Sequence, residues 1–163
     1  MTMPDRVQMI VVLALVAQSP AGLGAQTMSP AHRRAIDDSV RQTLTSFAAT
    51  MSKGQWDSAG AYYSNSPDFR WVEEGRIVAR SAEDIRKYLG AMKPSMRIRT
   101  VYDSVETSAL APGIATVVTA FSTTLGDSGS AGFSFAGELT MTMIHEHGGW
   151  VSLNGHSSAV HPH

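Results

Sequence analysis

The chain has 163 residues, 43% of them hydrophobic, with 13 Lys and Arg against 14 Asp and Glu. A formal net charge of −1 lacks the basic footprint of a nucleic-acid binder, so no nucleic-acid partner is expected. Cysteine is absent, which excludes disulfides, thiol nucleophiles, iron–sulfur clusters and cysteine zinc sites; the core alone must hold the fold.

Residues 1–25 stand apart. Arg6 leads into the apolar run 7–17, followed by Pro20 and a small-residue stretch ending at Ala25. This is the three-part pattern of a secretory signal peptide, with cleavage expected after Ala25. The apolar run is short of the ~20 residues that span a bilayer. The expectation is an exported protein, periplasmic or secreted, with one mature domain over residues 26–163 and no membrane association after cleavage.

Ser29-Pro30 opens a first helix, as a serine cap followed by proline at the first helical position. Ile36, Val40, Leu44, Phe47 and Met51 recur at steps of three and four and mark its buried face. Lys53-Gly54 ends it. A shorter helix is predicted from Gln55 to Tyr63, with Trp56, Ala59 and Tyr63 on one side. A hairpin follows, 68–73 and 76–79, turning at Glu74-Gly75. Ser81 and Asp84 form a capping-box start for a third helix whose apolar face is Ile85, Tyr88, Leu89 and Met92.

From Met96 the pattern is strands. Met96 and Ile98 share one phase, and Val101, Asp103 and Val105 the other, which predicts a bulge near Thr100–Val101. Residues 114–125 are apolar and β-branched on both faces and read as a central strand. The next strand alternates Phe133, Phe135, Gly137, Leu139, Met141 and Met143 against Ser134, Ala136, Glu138, Thr140 and Thr142. A tight turn at Gly148–Gly149 joins it to a last strand from Trp150. Helices followed by strands predict an α+β fold with the helices on one face of a curved antiparallel sheet.

The ending Gly149-Trp150-Val151-Ser152-Leu153-Asn154-Gly155-His156-Ser157-Ser158, the Gly54-Gln55-Trp56-Asp57 junction, the Asp68–Glu73 hairpin with Gly75-Arg76 and the Ala82-Glu83-Asp84-Ile85 helix start resemble the NTF2-like superfamily, in its SnoaL-like and DUF4440 branch. The resemblance covers nearly all of residues 30–158. It implies a cone whose curved sheet wraps a long helix and leaves a pocket at one end, and a homodimer formed through the outer sheet face. Isomerases, dehydratases and non-catalytic binding modules share this fold, so fold alone does not give function.

His156 is the leading chemical candidate. In the strand phase it shares a face with Trp150, Ser152, Asn154 and Ser158, where it and Asn154 would line the ligand pocket and His156 would bind a ligand or move a proton. A structural histidine fixing the strand end is the other reading. Tyr63, Trp71 and Tyr102 have apolar bodies with polar tips and suit a pocket lining, or simple core packing. Asp103 and Glu138 are two carboxylates within the long strands, and either would serve as a general base if burial raised its pKa; Glu138 falls on the face opposite the Phe/Met set and reads as solvated or dimer-facing. Arg76, Arg97 and Arg99 read as edge charges that discourage aggregation. His145-x-His147 puts two rings on one side, a geometry metal sites use, but no grouping completes a ligand set and no metal is expected. No phosphate loop or dinucleotide fingerprint is present, so no cofactor is expected.

The expected function is binding of a small, partly apolar ligand in the cone pocket, without catalysis. The alternative is a cofactor-free isomerase or dehydratase with His156 or Asp103 as acid/base and Tyr63 or Tyr102 supporting an oxyanion. A structural dimer with a closed pocket is the third possibility.

Overall fold

The structure, a computed structural model, describes residues 28–127 and 132–160. The leader expected at residues 1–25 lies outside the described residues. In chain order the elements are α1 (Pro30–Ser52), α2 (Trp56–Ala59), a 3-10 turn (Gly60–Tyr62), β1 (Arg70–Glu73), β2 (Arg76–Ala79), α3 (Ala82–Gly90), β3 (Met96–Ala111), β4 (Ile114–Asp127), β5 (Phe133–Glu146) and β6 (Gly149–Ala159). The strands form one curved, unclosed sheet in the order β2-β1-β6-β5-β4-β3. The α+β expectation holds. The sheet is mixed rather than wholly antiparallel, because β1 runs parallel to β6.

The local signals explain the helices. Ser29 Oγ accepts the His32 amide at 3.2 Å, and Pro30 occupies the first turn of α1. Ile36, Val40, Leu44 and Met51 are buried on one stripe, and Phe47 packs beside them. At α3 the Ser81 hydroxyl accepts the Asp84 amide, while the Asp84 carboxylate accepts the Ser81 amide at 3.0 Å. Two orphan amides are thereby satisfied. Ile85 and Leu89 are buried, but Tyr88, expected on the same face, is 66% exposed.

The inner face of the sheet is the floor of the core. Ala115, Val117 and Phe121 from β4 and Leu139, Met141 and Met143 from β5 pack beneath α1. A second cluster joins Met51 and Trp56 to Ile85 and Leu89 of α3. Trp71 packs against both clusters. The strand expected to be central, β4, lies next to the edge strand β3 and is not buried on both faces: Ile114 and Val118 are 41% and 45% exposed on the outer side.

Three local features differ from the sequence expectation. The second helix stops at Ala59 and tightens into the 3-10 turn, so Tyr63 is extended and bridges Ser152. The β5–β6 turn falls on His147-Gly148, with φ of 48° and 84°, and Glu146 pairs with Gly149. Two positive φ values are what a tight two-residue hairpin loop requires. Finally, β3 shifts register at Ser104 (φ 52°), between Asp103 opposite Ala120 and Glu106 opposite Val118, and again between Ala109 and Ala111, rather than near Thr100–Val101.

Candidate functional site

A small chamber of about 70 Å³ lies between α1 and the inner face of the sheet. Leu44 and Phe47 of α1 form one side, and Leu139, Met141 and Met143 of β5 form the other. The period-two pattern of β5 places its methionines here, on the face that also buries Gly137. Tyr63, Trp71, Tyr102 and Ser152 supply polar tips within an otherwise apolar wall.

Tyr63 is held by its neighbours. Its ring meets Phe47, Phe69 and Trp71 edge-on at centroid distances of 5.8, 5.9 and 5.6 Å. The backbone behind it is pinned too. The Ser64 amide donates to the Ser152 carbonyl at 2.9 Å, and the Ser64 hydroxyl donates to Glu146 Oε1 at 2.8 Å. The Trp71 indole N–H donates to Glu73 Oε1 at 3.0 Å, which fixes the ring at the chamber edge. Trp71 sits opposite Gly155 in the parallel β1–β6 pair, over a bare α-carbon.

Burial pushes the phenol of Tyr63 well above its ordinary value, with the neighbouring Tyr102 hydroxyl and then the Glu73 carboxylate adding to the shift. Burial likewise raises Tyr102. Both phenols are therefore neutral donors across the physiological range. Neither hydroxyl has a hydrogen-bond partner among the described residues. Both residues are half-buried, so these hydroxyls are open to the chamber and suit a ligand oxygen.

Of the candidates from sequence, Tyr63, Trp71 and Tyr102 meet at this chamber. Asn154, His156 and Asp103 do not. In β6, Met143 pairs with Ser152 but Thr142 pairs with Asn154, which leaves Leu153 as an extra residue. That bulge reverses the phase. Trp150 and Ser152 face inward, as expected, whereas Asn154, His156 and Ser158 fall on the outer face opposite Thr142, Thr140 and Glu138. His156 is exposed there. Asp103 lies just before the β3 bulge, opposite Ala120 on the outer face, and is also exposed. Glu138 is exposed, as expected. His147 lies in the turn itself, and among the described residues no group of three His, Asp or Glu side chains is placed to hold a metal.

Sequence reasoning missed Tyr62 and Thr43. Both line the chamber and also a more open cleft of about 310 Å³ between the polar side of α1 and the β5–β6 turn. Ser39, Gln42, Ser46 and His145 are exposed in that cleft. The Tyr62 ring packs edge-on against Phe47 at 5.3 Å, and its hydroxyl is 3.5 Å from Thr50 Oγ1. Three hydroxyl residues spaced along one side of α1 were the available signal.

The SnoaL-like domain family matches residues 40–162. No curated protein matches the chain in sequence. Solved structures share the fold at low identity. An NTF2-like protein of unknown function from Shewanella oneidensis is 15% identical, with a TM-score of 0.61 over 76% of this chain and 98% of its own. An NTF2-like superfamily protein from Salmonella enterica is 11% identical, with a TM-score of 0.64 over 79% and 94%. A ketosteroid isomerase-like protein from Erwinia carotovora is 12% identical, with a TM-score of 0.58 over 77% and 96%. With the family match running from the middle of α1 through the end of β6, this chain belongs to the SnoaL-like domain family and has the NTF2-like fold.

Proposed function

We propose that this chain is an exported, non-catalytic domain that holds a small, partly apolar ligand in the chamber. One observation carries the reading: the wall offers apolar surface and phenol hydroxyls, but no Asp, Glu, His, Lys or Arg. An isomerase or dehydratase needs a proton-transfer group within hydrogen-bond reach of the substrate. His156 and Asp103, the groups expected to fill that role, lie on the outer face of the sheet.

The test uses cyclohexanone as a probe and the methyl NMR signals of Met141 and Met143 as reporters. Both signals are expected to shift saturably, and Tyr102→Phe to weaken binding up to about tenfold, the worth of one hydrogen bond. His156→Ala and Asp103→Ala leave the affinity unchanged. A probe that never moves either methyl signal sinks the reading. Exchange of the ketone's α-protons with solvent, faster than in buffer and lost in Tyr102→Phe, would instead establish the enzyme.

The same proposal includes a homodimer through the outer sheet face. Its support is the exposed apolar set Val101, Leu110, Ile114 and Val118 on β3 and β4. Export is proposed from the leader pattern, and the mass of the mature N-terminus, beginning at Gln26, tests it.

A further inference from the structure

The chamber and the cleft differ in a way that specifies the ligand. About 70 Å³ is far below the roughly 300–1,000 Å³ of ordinary small-molecule pockets, whereas the cleft at about 310 Å³ reaches that range. Thr43 and Tyr62 belong to both walls, so the two spaces are adjacent across these side chains. Their chemistry is opposed. The chamber is walled mainly by aliphatic, methionine and aromatic side chains, while the cleft presents Ser39, Gln42, Ser46 and His145. Neither wall contains Asp, Glu, Lys or Arg.

We propose that the ligand is an uncharged amphipathic molecule, with a short apolar end in the chamber and a hydroxylated or amide head in the cleft, passing between Thr43 and Tyr62. This rests on the chamber being a ligand site. A free carboxylate or ammonium would lose hydration in the chamber, and in the open cleft it would meet no Asp, Glu, Lys or Arg and only the His145 imidazole among side chains that titrate near neutral pH, so neither ion is favoured over a neutral head. Hydroxyl and amide groups instead find matching donors and acceptors on Ser39, Gln42 and Ser46. Tyr62 is well placed to yield, because a 3.5 Å contact at the limit of hydrogen bonding is the one polar tie on its hydroxyl among the described residues.

The experiment compares 1,2-hexanediol, hexanoate and hexylammonium by NMR titration of the mature protein. It follows the Met141 and Met143 methyls for the chamber and the Gly148 and Gly149 amides for the cleft. The diol is expected to move both sets along one binding curve, and each charged probe to bind at least tenfold more weakly. Ser46→Asp, on the exposed side of α1, is expected to strengthen hexylammonium selectively. A diol that moves the methyls but not the glycine amides overturns the two-part ligand while leaving the chamber reading intact. Equal affinity for all three probes overturns the neutral class. Silence of the methyls with every probe defeats the chamber reading itself, and this inference with it.

Discussion

The Trp71 ring occupies the space where a side chain on Gly155 would begin: a Cβ there would lie 2.7 Å from Cη2 and 2.8 Å from Cε3. Gly155 faces inward from β6 and pairs with Trp71 across the parallel β1–β6 ladder. Its missing side chain lets the indole rest against the sheet and close one side of the chamber. Gly155→Ala forces the ring or the strand to move. Overpacking of this kind costs about 1–3 kcal/mol, and thermal unfolding with tryptophan fluorescence should show a lower Tm and an altered Trp71 environment. An unchanged Tm would mean that the ring has another resting place.

Alkaline pH should weaken the fold through the chamber tyrosines. Tyr63 and Tyr102 both have folded-state values raised above the ordinary phenol value. Their contribution is fully present below the unfolded value near 10 and is lost as pH rises beyond it, because only the unfolded chain ionises readily. Urea melts at pH 8 to 11 should show falling stability, with a shallower fall in Tyr102→Phe. Parallel curves for the two proteins would place the alkaline sensitivity elsewhere.

The start of α3 gives the opposite sign. Hydrogen bonds from the Arg80 and Ser81 region hold the Asp84 carboxyl below its ordinary value. Its contribution is present above the unfolded value near 4 and is lost as pH falls through the lower folded value. Asp84→Asn should therefore lower Tm at neutral pH, and the gap to the parent should close in acid. A gap that persists in acid would point to helix packing rather than the carboxylate.

On the outer face, Val118 is 45% exposed in the middle of β4. Light scattering should find twice the chain mass for the parent and a single chain mass for Val118→Lys, with unchanged circular dichroism. A Val118→Lys protein that still has the dimer mass would remove this face as the interface.

The residues that revealed the fold are those whose rules are local. Ser29-Pro30 and Ser81 with Asp84 announced helix starts through caps, and β5 announced its inner face through alternating Phe and Met. Tyr63, Trp71 and Tyr102 were legible as chamber residues because aromatic side chains with polar tips suit half-buried walls. His156, Asn154 and Asp103 were misplaced for a single reason. A period-two reading carries facing along a strand only until one extra residue intervenes. The bulge at Leu153 has no composition of its own, and that at Ser104 was expected three to four residues earlier. Nor did the sequence reveal the parallel pairing of β1 with β6, which joins segments far apart in the chain and depends on contacts no local pattern encodes.

The Leu153 bulge also makes β6 unequal in its tolerance of length change. Met143 opposite Ser152 and Thr142 opposite Asn154 are already consecutive pairs on the β5 side. Deleting Leu153 would turn them into an ordinary ladder, keeping Ser152 and Gly155 inward and His156 outward. Adding one residue between Asn154 and Gly155 would rotate everything beyond it, setting His156 outside the chamber's wall only if a second bulge formed, and putting a side chain where Trp71 needs none. Among descendants of such a chain, shortened versions of this strand should persist and lengthened ones should be rare.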